Sequence, residues 1–64
     1  MMVSIGYDST HRILEIEFRS GEVYQYLAVP EDVHNALQAA PSKGRYFRNV
    51  IDDVYEHVRA SLRR

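Results

Sequence analysis

The sequence predicts a small α+β domain: a three-stranded antiparallel β-meander followed by two α-helices packed on one face of the sheet. In residues 3–29 apolar and polar side chains alternate, which is the period of a half-buried strand. After Pro30 the apolar side chains recur every three or four positions, which is the period of an amphipathic helix. The 64 residues contain no repeat and no linker, so we expect a single domain.

Turn residues divide the first half into three strands. The first strand lies within "VSIGY", and the polar run "DSTHR" ends it. The second strand, "LEIEF", places apolar side chains on one face and two glutamates on the other. Ser20-Gly21 then turns the chain into a third strand, "EVYQYLAV", because glycine tolerates the positive φ that a tight hairpin requires. Such a meander has one apolar face that needs a cover.

The register of the second hairpin decides where Tyr24 and Tyr26 point. A two-residue loop directs both tyrosines to the polar face, where paired aromatic rings can stack nucleobases. A three-residue loop, with Gly21 as its left-handed residue, directs them to the apolar face as core or cross-strand packing. We prefer the three-residue loop, because the alternative places Gln25 opposite Ile16 in the core.

Two helices are predicted after the meander, over residues 30–40 and 42–60. Pro30 has the fixed φ of a first helical position, and the two acidic residues after it complement the helix dipole. Pro41 cannot continue the first helix, and Ser42 is a natural N-cap for the second. The second helix carries an apolar stripe at helical spacing: Phe47, Val50, Ile51, Val54 and Val58.

Composition excludes several classes of protein. There is no cysteine, so no disulfide or thiolate zinc site can stabilise so small a core. No apolar run approaches the roughly 20 residues needed to span a bilayer, and the N-terminus has no basic segment typical of a signal peptide. We therefore expect a soluble cytoplasmic protein that does not bind membranes. The net charge of −1 argues against nucleic-acid binding, unless a local basic patch provides it.

The segment "SKGRYFR" is the candidate for such a patch. If Ser42 caps a helix, the free backbone N–H groups after it, a glycine that allows close approach, and the nearby cations would suit a phosphate group. The ordinary alternative is a plain helix start with solvated cations and Phe47 in the core. The candidate anion- or RNA-binding residues are Ser42, Lys43, Gly44, Arg45, Tyr46 and Arg48, with Tyr46 as a base-stacking group and Arg12 as a further cation. Any RNA affinity is expected to be weak.

The end of the second predicted helix is the candidate protein-interaction surface. Its apolar residues Val54, Val58 and Leu62 have little sheet left to cover, which favours homodimerisation or another protein partner. Asp53 and His57 have the i,i+4 spacing of two metal ligands, but a solvated ion pair is the simpler interpretation. With no further ligand in fixed spacing and no nucleophile beside a base, we expect no enzymatic activity, metal or cofactor. We also expect a chain this short to enclose no pocket of several hundred Å³.

The ordered motifs "LEIEF", "SG", "VPEDV" and "APSKGRYF", with the Y-x-Y of residues 24–26, resemble the KTSC domain over residues 3–55. That family is named for the C-terminal segment of some lysyl-tRNA synthetases and also occurs as small bacterial or phage proteins. The resemblance maps the family's hallmark onto Tyr24 and Tyr26. It implies a binding module without an established function, with RNA or tRNA binding suggested by the synthetase association. The tail, "DVYEHVRASLRR", looks longer and more helical than the family's pattern, which bears on the oligomeric state.

Overall fold

The computed structural model describes residues 2–60. An antiparallel sheet, in the spatial order β1-β2-β3-β4, is built from β1 (Met2–Asp8), β2 (Ile13–Phe18), β3 (Val23–Tyr26) and β4 (His57–Ala60). The helical segments between β3 and β4 are α1 (Glu31–Ala39) and α2 (Lys43–Tyr46), and α2 continues as a π-helical turn over Phe47–Ile51. The α+β class is as predicted, but the sheet has four strands where three were predicted. In the part described, no helix has the length and apolar character needed to cross a membrane.

The β2–β3 hairpin has the three-residue loop that the sequence favoured. Tyr26 lies opposite Leu14 and Tyr24 opposite Ile16. Gly21 has a φ of 98°, the left-handed conformation that the loop requires. Because residues directly opposite each other point to the same side of a sheet, both tyrosines share the face of the apolar β2 side chains. The preferred register is therefore confirmed.

The core lies between this face of the sheet and the helical segments. Leu37 of α1 and Ile51 at the end of the π-helical turn are both fully buried against the sheet. The other face of the sheet is polar: Ser4 donates a hydrogen bond to Glu17 at 3.2 Å, for example. The buried core consists of Leu14, Ile16, Tyr26, Val29, Leu37 and Ile51.

The prediction of one helix over residues 42–60 is wrong in its second half. The helical backbone ends at Ile51, because Asp52 is extended with ψ 132° and Asp53 is left-handed with φ 68°. Aspartate tolerates the left-handed region better than most residues, so the pair can end a helix. The chain then returns as β4, which pairs with the outer edge of β3 and satisfies backbone groups that the sheet would otherwise leave open.

The entry to α1 is held by the end of β1. The hydroxyl group of Tyr7 donates a hydrogen bond to the carbonyl oxygen of the buried Val29. The Tyr7 ring also stacks on His34 of α1, with centroids 4.7 Å apart and planes 8° apart. Pro30 precedes α1 as its N-cap, so the helix begins one residue later than predicted. These contacts fix the position of the helical layer over β1 and β2.

Candidate functional site

The start of α2 contains the basic segment, residues 42–48. Ser42 is the N-cap residue: its backbone is extended, and its Oγ accepts a hydrogen bond from the backbone N–H of Arg45 at 3.3 Å. The prediction that Ser42 caps a helix is therefore confirmed. Of the backbone N–H groups that follow Ser42, that of Arg45 is used by the cap. Those of Lys43 and Gly44 remain as candidate donors to an anion.

Three cationic side chains surround this helix start. Lys43, Arg45 and Arg48 are all exposed. Within residues 2–60 the ion pairs lie elsewhere, in the β1–β2 turn and between β4 and the β2–β3 turn, so none of the three cations has an acidic partner there. Arg12 lies in the β1–β2 turn, at the far end of β1 from this segment, so the structure does not bring it to the patch.

A groove of about 780 Å³ lies between the first half of β1 and α2. Lys43, Gly44 and Arg48 contribute to its lining, whereas Arg45 and Tyr46 do not. The groove is open to solvent rather than enclosed, but it is larger than we expected of so short a chain. The basic segment is therefore divided: two of its cations face the groove, and Arg45 lies outside it.

Aromatic side chains that sequence reasoning assigned to other roles complete the groove. Phe18 and Phe47, both half-buried, contribute apolar surface to the lining, and Asp52 adds one carboxylate. The two phenyl rings meet edge to face, with centroids 5.8 Å apart. The alternating pattern of β2 and the helical stripe predicted both rings as core. Nothing in the sequence indicates that they border a groove, because this depends on how β1 and α2 are placed.

Tyr46, predicted as a base-stacking group, has only part of its ring exposed to solvent. Its side chain is half-buried and packs against the hydrophobic core. Part of the ring is therefore already covered by protein. The aromatic surface that borders the groove belongs instead to Phe18 and Phe47.

Tyr24 and Tyr26 pack rather than form an open stacking surface. Tyr26 is only 3% exposed, and burial, together with the nearby carboxylate of Asp52, raises the pKa of its hydroxyl group to about 12. Tyr24 is half-buried, and its hydroxyl group donates a hydrogen bond to Glu22 at 3.3 Å. The ring of His57 on β4 lies against both tyrosines, with centroids 5.1 Å from Tyr26 and 5.3 Å from Tyr24. The pair therefore anchors β4 to the sheet.

The predicted interaction surface does not form a helical stripe. Val54 lies in the turn after the helix and is 62% exposed, whereas Val58 lies on β4 and is 48% exposed. Leu62 lies outside the described residues. The two valines are solvent-exposed as the interaction hypothesis requires, but the apolar helix that was to carry them is replaced by a turn and a strand.

Asp53 and His57 also do not lie one turn apart on a helix. Asp53 is in a turn with positive φ, and His57 is the first residue of β4. The helical arrangement on which both the two-ligand hypothesis and the ion-pair interpretation depended is therefore not formed.

Comparison with known proteins identifies a family whose model covers most of the chain, including the basic segment. The family model for the KTSC domain matches residues 1–55. The chain belongs to the KTSC domain family. Its predicted resemblance to that family is thus confirmed, and the Y-x-Y pair lies within the matched range. The crystal structure of a KTSC domain protein from Yersinia pestis superposes with a TM-score of 0.91 at 45% identity, covering 94% of this chain and 84% of that one.

Relatives of this KTSC domain include both small proteins and enzymes. An uncharacterized protein of Stutzerimonas stutzeri is 53% identical over 47 residues, which are 73% of this chain and 66% of that protein. A lysine–tRNA ligase of Trichormus variabilis is 44% identical over 55 residues, which are 86% of this chain. The match spans only 10% of the ligase's length. The domain is thus one of unknown function that also occurs in lysine–tRNA ligases.

Proposed function

We propose that this KTSC domain is a small binding module for RNA, or for a similar polyanion, that uses the basic segment at the start of α2. The main support is that three cations at this helix start are exposed and have no acidic partner within residues 2–60: Lys43, Arg45 and Arg48. Positive charge is unfavourable at a helix N-terminus, because the helix dipole is positive there. A bound phosphate would relieve that repulsion.

Two further observations support RNA as the polyanion. The N-cap of Ser42 leaves the backbone N–H groups of Lys43 and Gly44 as donors to a phosphate oxygen. Lysine–tRNA ligases act on tRNA and contain a stretch similar to this chain. The competing interpretation is that the cations only solvate a surface. With a net charge of −1, the affinity is expected to be weak, about 10⁻⁴–10⁻⁶ M.

The test is an NMR titration of the isotope-labelled domain with a short RNA at low and then moderate salt. We expect shifts in residues 42–48 and a log–log dependence of affinity on salt with a slope of about −2 to −3, as for three neutralised phosphates. Arg45→Glu should weaken the binding, because it replaces one of the three cations by an acidic side chain. Arg12→Glu is the matched control, because it changes charge equally at the far end of β1. No shifts at millimolar RNA would rule the function out.

The alternative is homodimerisation or another protein contact through the edge of β4. The observation that favours it is the exposure of Val54 and Val58 beside a strand that pairs only with β3 within the described residues. An apolar contact of this kind should be almost indifferent to salt, in contrast to RNA binding. Sedimentation velocity over a range of concentrations tests it: a dimer that Val54→Asp dissociates would support this function, and a monomer throughout would exclude a dimer.

A further inference from the structure

The groove next to the basic segment also borders the first half of β1. Four consecutive residues of β1, from Met2 to Ile5, contribute to its lining. A bulge between Met2 and Ser4 interrupts the regular alternation of side chains here, and the groove follows these four residues beside the outer edge of the strand. This edge is free within the described residues, because β1 pairs only with β2. A ligand lying in the groove therefore meets backbone polar groups as well as side chains.

The groove combines aromatic and cationic surface, which is complementary to the base and the anionic phosphate of a nucleotide. Phe18 and Phe47 contribute half-buried rings to the lining. Lys43 lies one helical turn before Phe47, and Arg48 also contributes to the lining, so two cations border the same groove as that ring. The volume of the groove, about 780 Å³, falls within the range of small-molecule sites, roughly 300–1,000 Å³. A base against the rings would thus have its phosphate within reach of both cations.

Asp52 adds a hydrogen-bond acceptor to the groove. Among residues 2–60 it is the one carboxylate in the lining, at the end of the π-helical turn. A carboxylate repels a phosphate but accepts hydrogen bonds from the exocyclic amino group of a base. Cytosine carries such a group, whereas uracil presents only a carbonyl oxygen at the same position.

We propose that this groove holds one unpaired nucleotide of a single-stranded RNA. The base lies against Phe18 and Phe47, the phosphate binds Lys43 and Arg48, and an amino group of the base donates to Asp52. This inference rests on the proposed RNA binding and adds that the ligand is single-stranded and prefers cytosine to uracil. Paired bases are stacked inside a duplex and cannot enter a groove, so a duplex contacts only the cations.

The test compares the affinities of oligocytidine, oligouridine and a short RNA duplex by fluorescence anisotropy. We expect the wild-type domain to bind oligocytidine most tightly. Phe47→Leu keeps an apolar side chain but removes the ring, and it should weaken single-strand binding by roughly 5- to 150-fold, the usual range for one stacked base. Duplex binding should not change. Tyr46→Leu is the matched control, because it removes a half-buried ring that does not line the groove.

Asp52→Asn tests the selectivity without changing shape. It should bring the affinities for oligocytidine and oligouridine together, while the ratio should persist in the Tyr46→Leu variant. Upfield NMR shifts of the Phe18 and Phe47 ring protons on adding oligocytidine to the wild-type domain provide a readout that does not depend on any variant folding.

Different outcomes would exclude the nucleotide site alone or RNA binding as a whole. Equal affinity for single strand and duplex, with Phe47→Leu without effect and the ring protons unmoved, would overturn the groove as a nucleotide site and leave charge-driven RNA binding in place. A preference for oligouridine would overturn the role of Asp52. No binding of any of the three RNAs would overturn both the groove site and the proposed function.

Discussion

Replacing Ile51 by alanine tests where the second helix ends. Ile51 is fully buried in the core. Ile51→Ala removes three carbon groups, and at about 0.8 kcal/mol for each the lost transfer free energy is roughly 2.4 kcal/mol. The cavity left behind adds to this, so we expect a total loss of about 3–4 kcal/mol, within the 2–5 kcal/mol usual for such changes. A domain of this size is stabilised by only about 3–5 kcal/mol, so most of its stability should disappear.

Urea denaturation followed by circular dichroism measures this loss. With a denaturant slope of about 1 kcal/mol per molar urea, typical of the smallest domains, the midpoint should fall by roughly 3 M or the variant should be largely unfolded in buffer. Val54→Ala is the control, because Val54 lies three residues further along the predicted stripe but is 62% exposed. Its free energy of unfolding should change by no more than about 0.5 kcal/mol.

Similar losses of stability in the two variants would contradict a helix that ends at Ile51. In one continuous helix over residues 42–60, Ile51 and Val54 would share a face and both be buried. Comparable losses would therefore mean that the helix does not end before Asp52 and Asp53. A loss below about 1 kcal/mol for Ile51→Ala would contradict its place in the core.

Two further predictions concern the hairpin loop and the buried tyrosine. Gly21→Ala should destabilise the domain by about 1 kcal/mol or more in urea denaturation, because φ at this position is 98°, whereas Gly6→Ala, with nothing within 4 Å of the added carbon, should cost much less. Tyr26 has a pKa raised to about 12 in the folded domain, above the unfolded value of about 10. Below about pH 10, titration of Tyr26 should therefore cause no pH dependence of the free energy of unfolding. As the pH rises from about 10 to 12, this free energy should fall. Tyr26→Phe should remove that part of the pH dependence, and an unchanged profile would contradict it.

The parts of the site that sequence predicted are those set by neighbouring residues. A serine after a proline, followed by residues that favour a helix, predicted the N-cap of Ser42 from local hydrogen bonding alone. The cations of the basic segment come directly after Ser42 in the sequence, so their place at the helix start could be predicted as well. The groove did not follow, because β1 and α2 are separated by more than thirty residues in the chain. Which rings face solvent between two such elements depends on how they are packed, as Phe18 and Phe47 illustrate.

The amino-acid sequence was sufficient for the meander, the register of its second hairpin and the boundary between α1 and α2. Alternation, a glycine at the left-handed loop position and a proline act through local backbone geometry, so no distant contact is needed to interpret them. The secondary structure of residues 52–60, by contrast, depends on tertiary contacts. Their apolar spacing fits a helix, but the open edge of β3 offers backbone hydrogen bonds, and the rings of Tyr24 and Tyr26 offer a surface for His57. Those interactions exist only once the sheet has formed, and they make the segment a fourth strand.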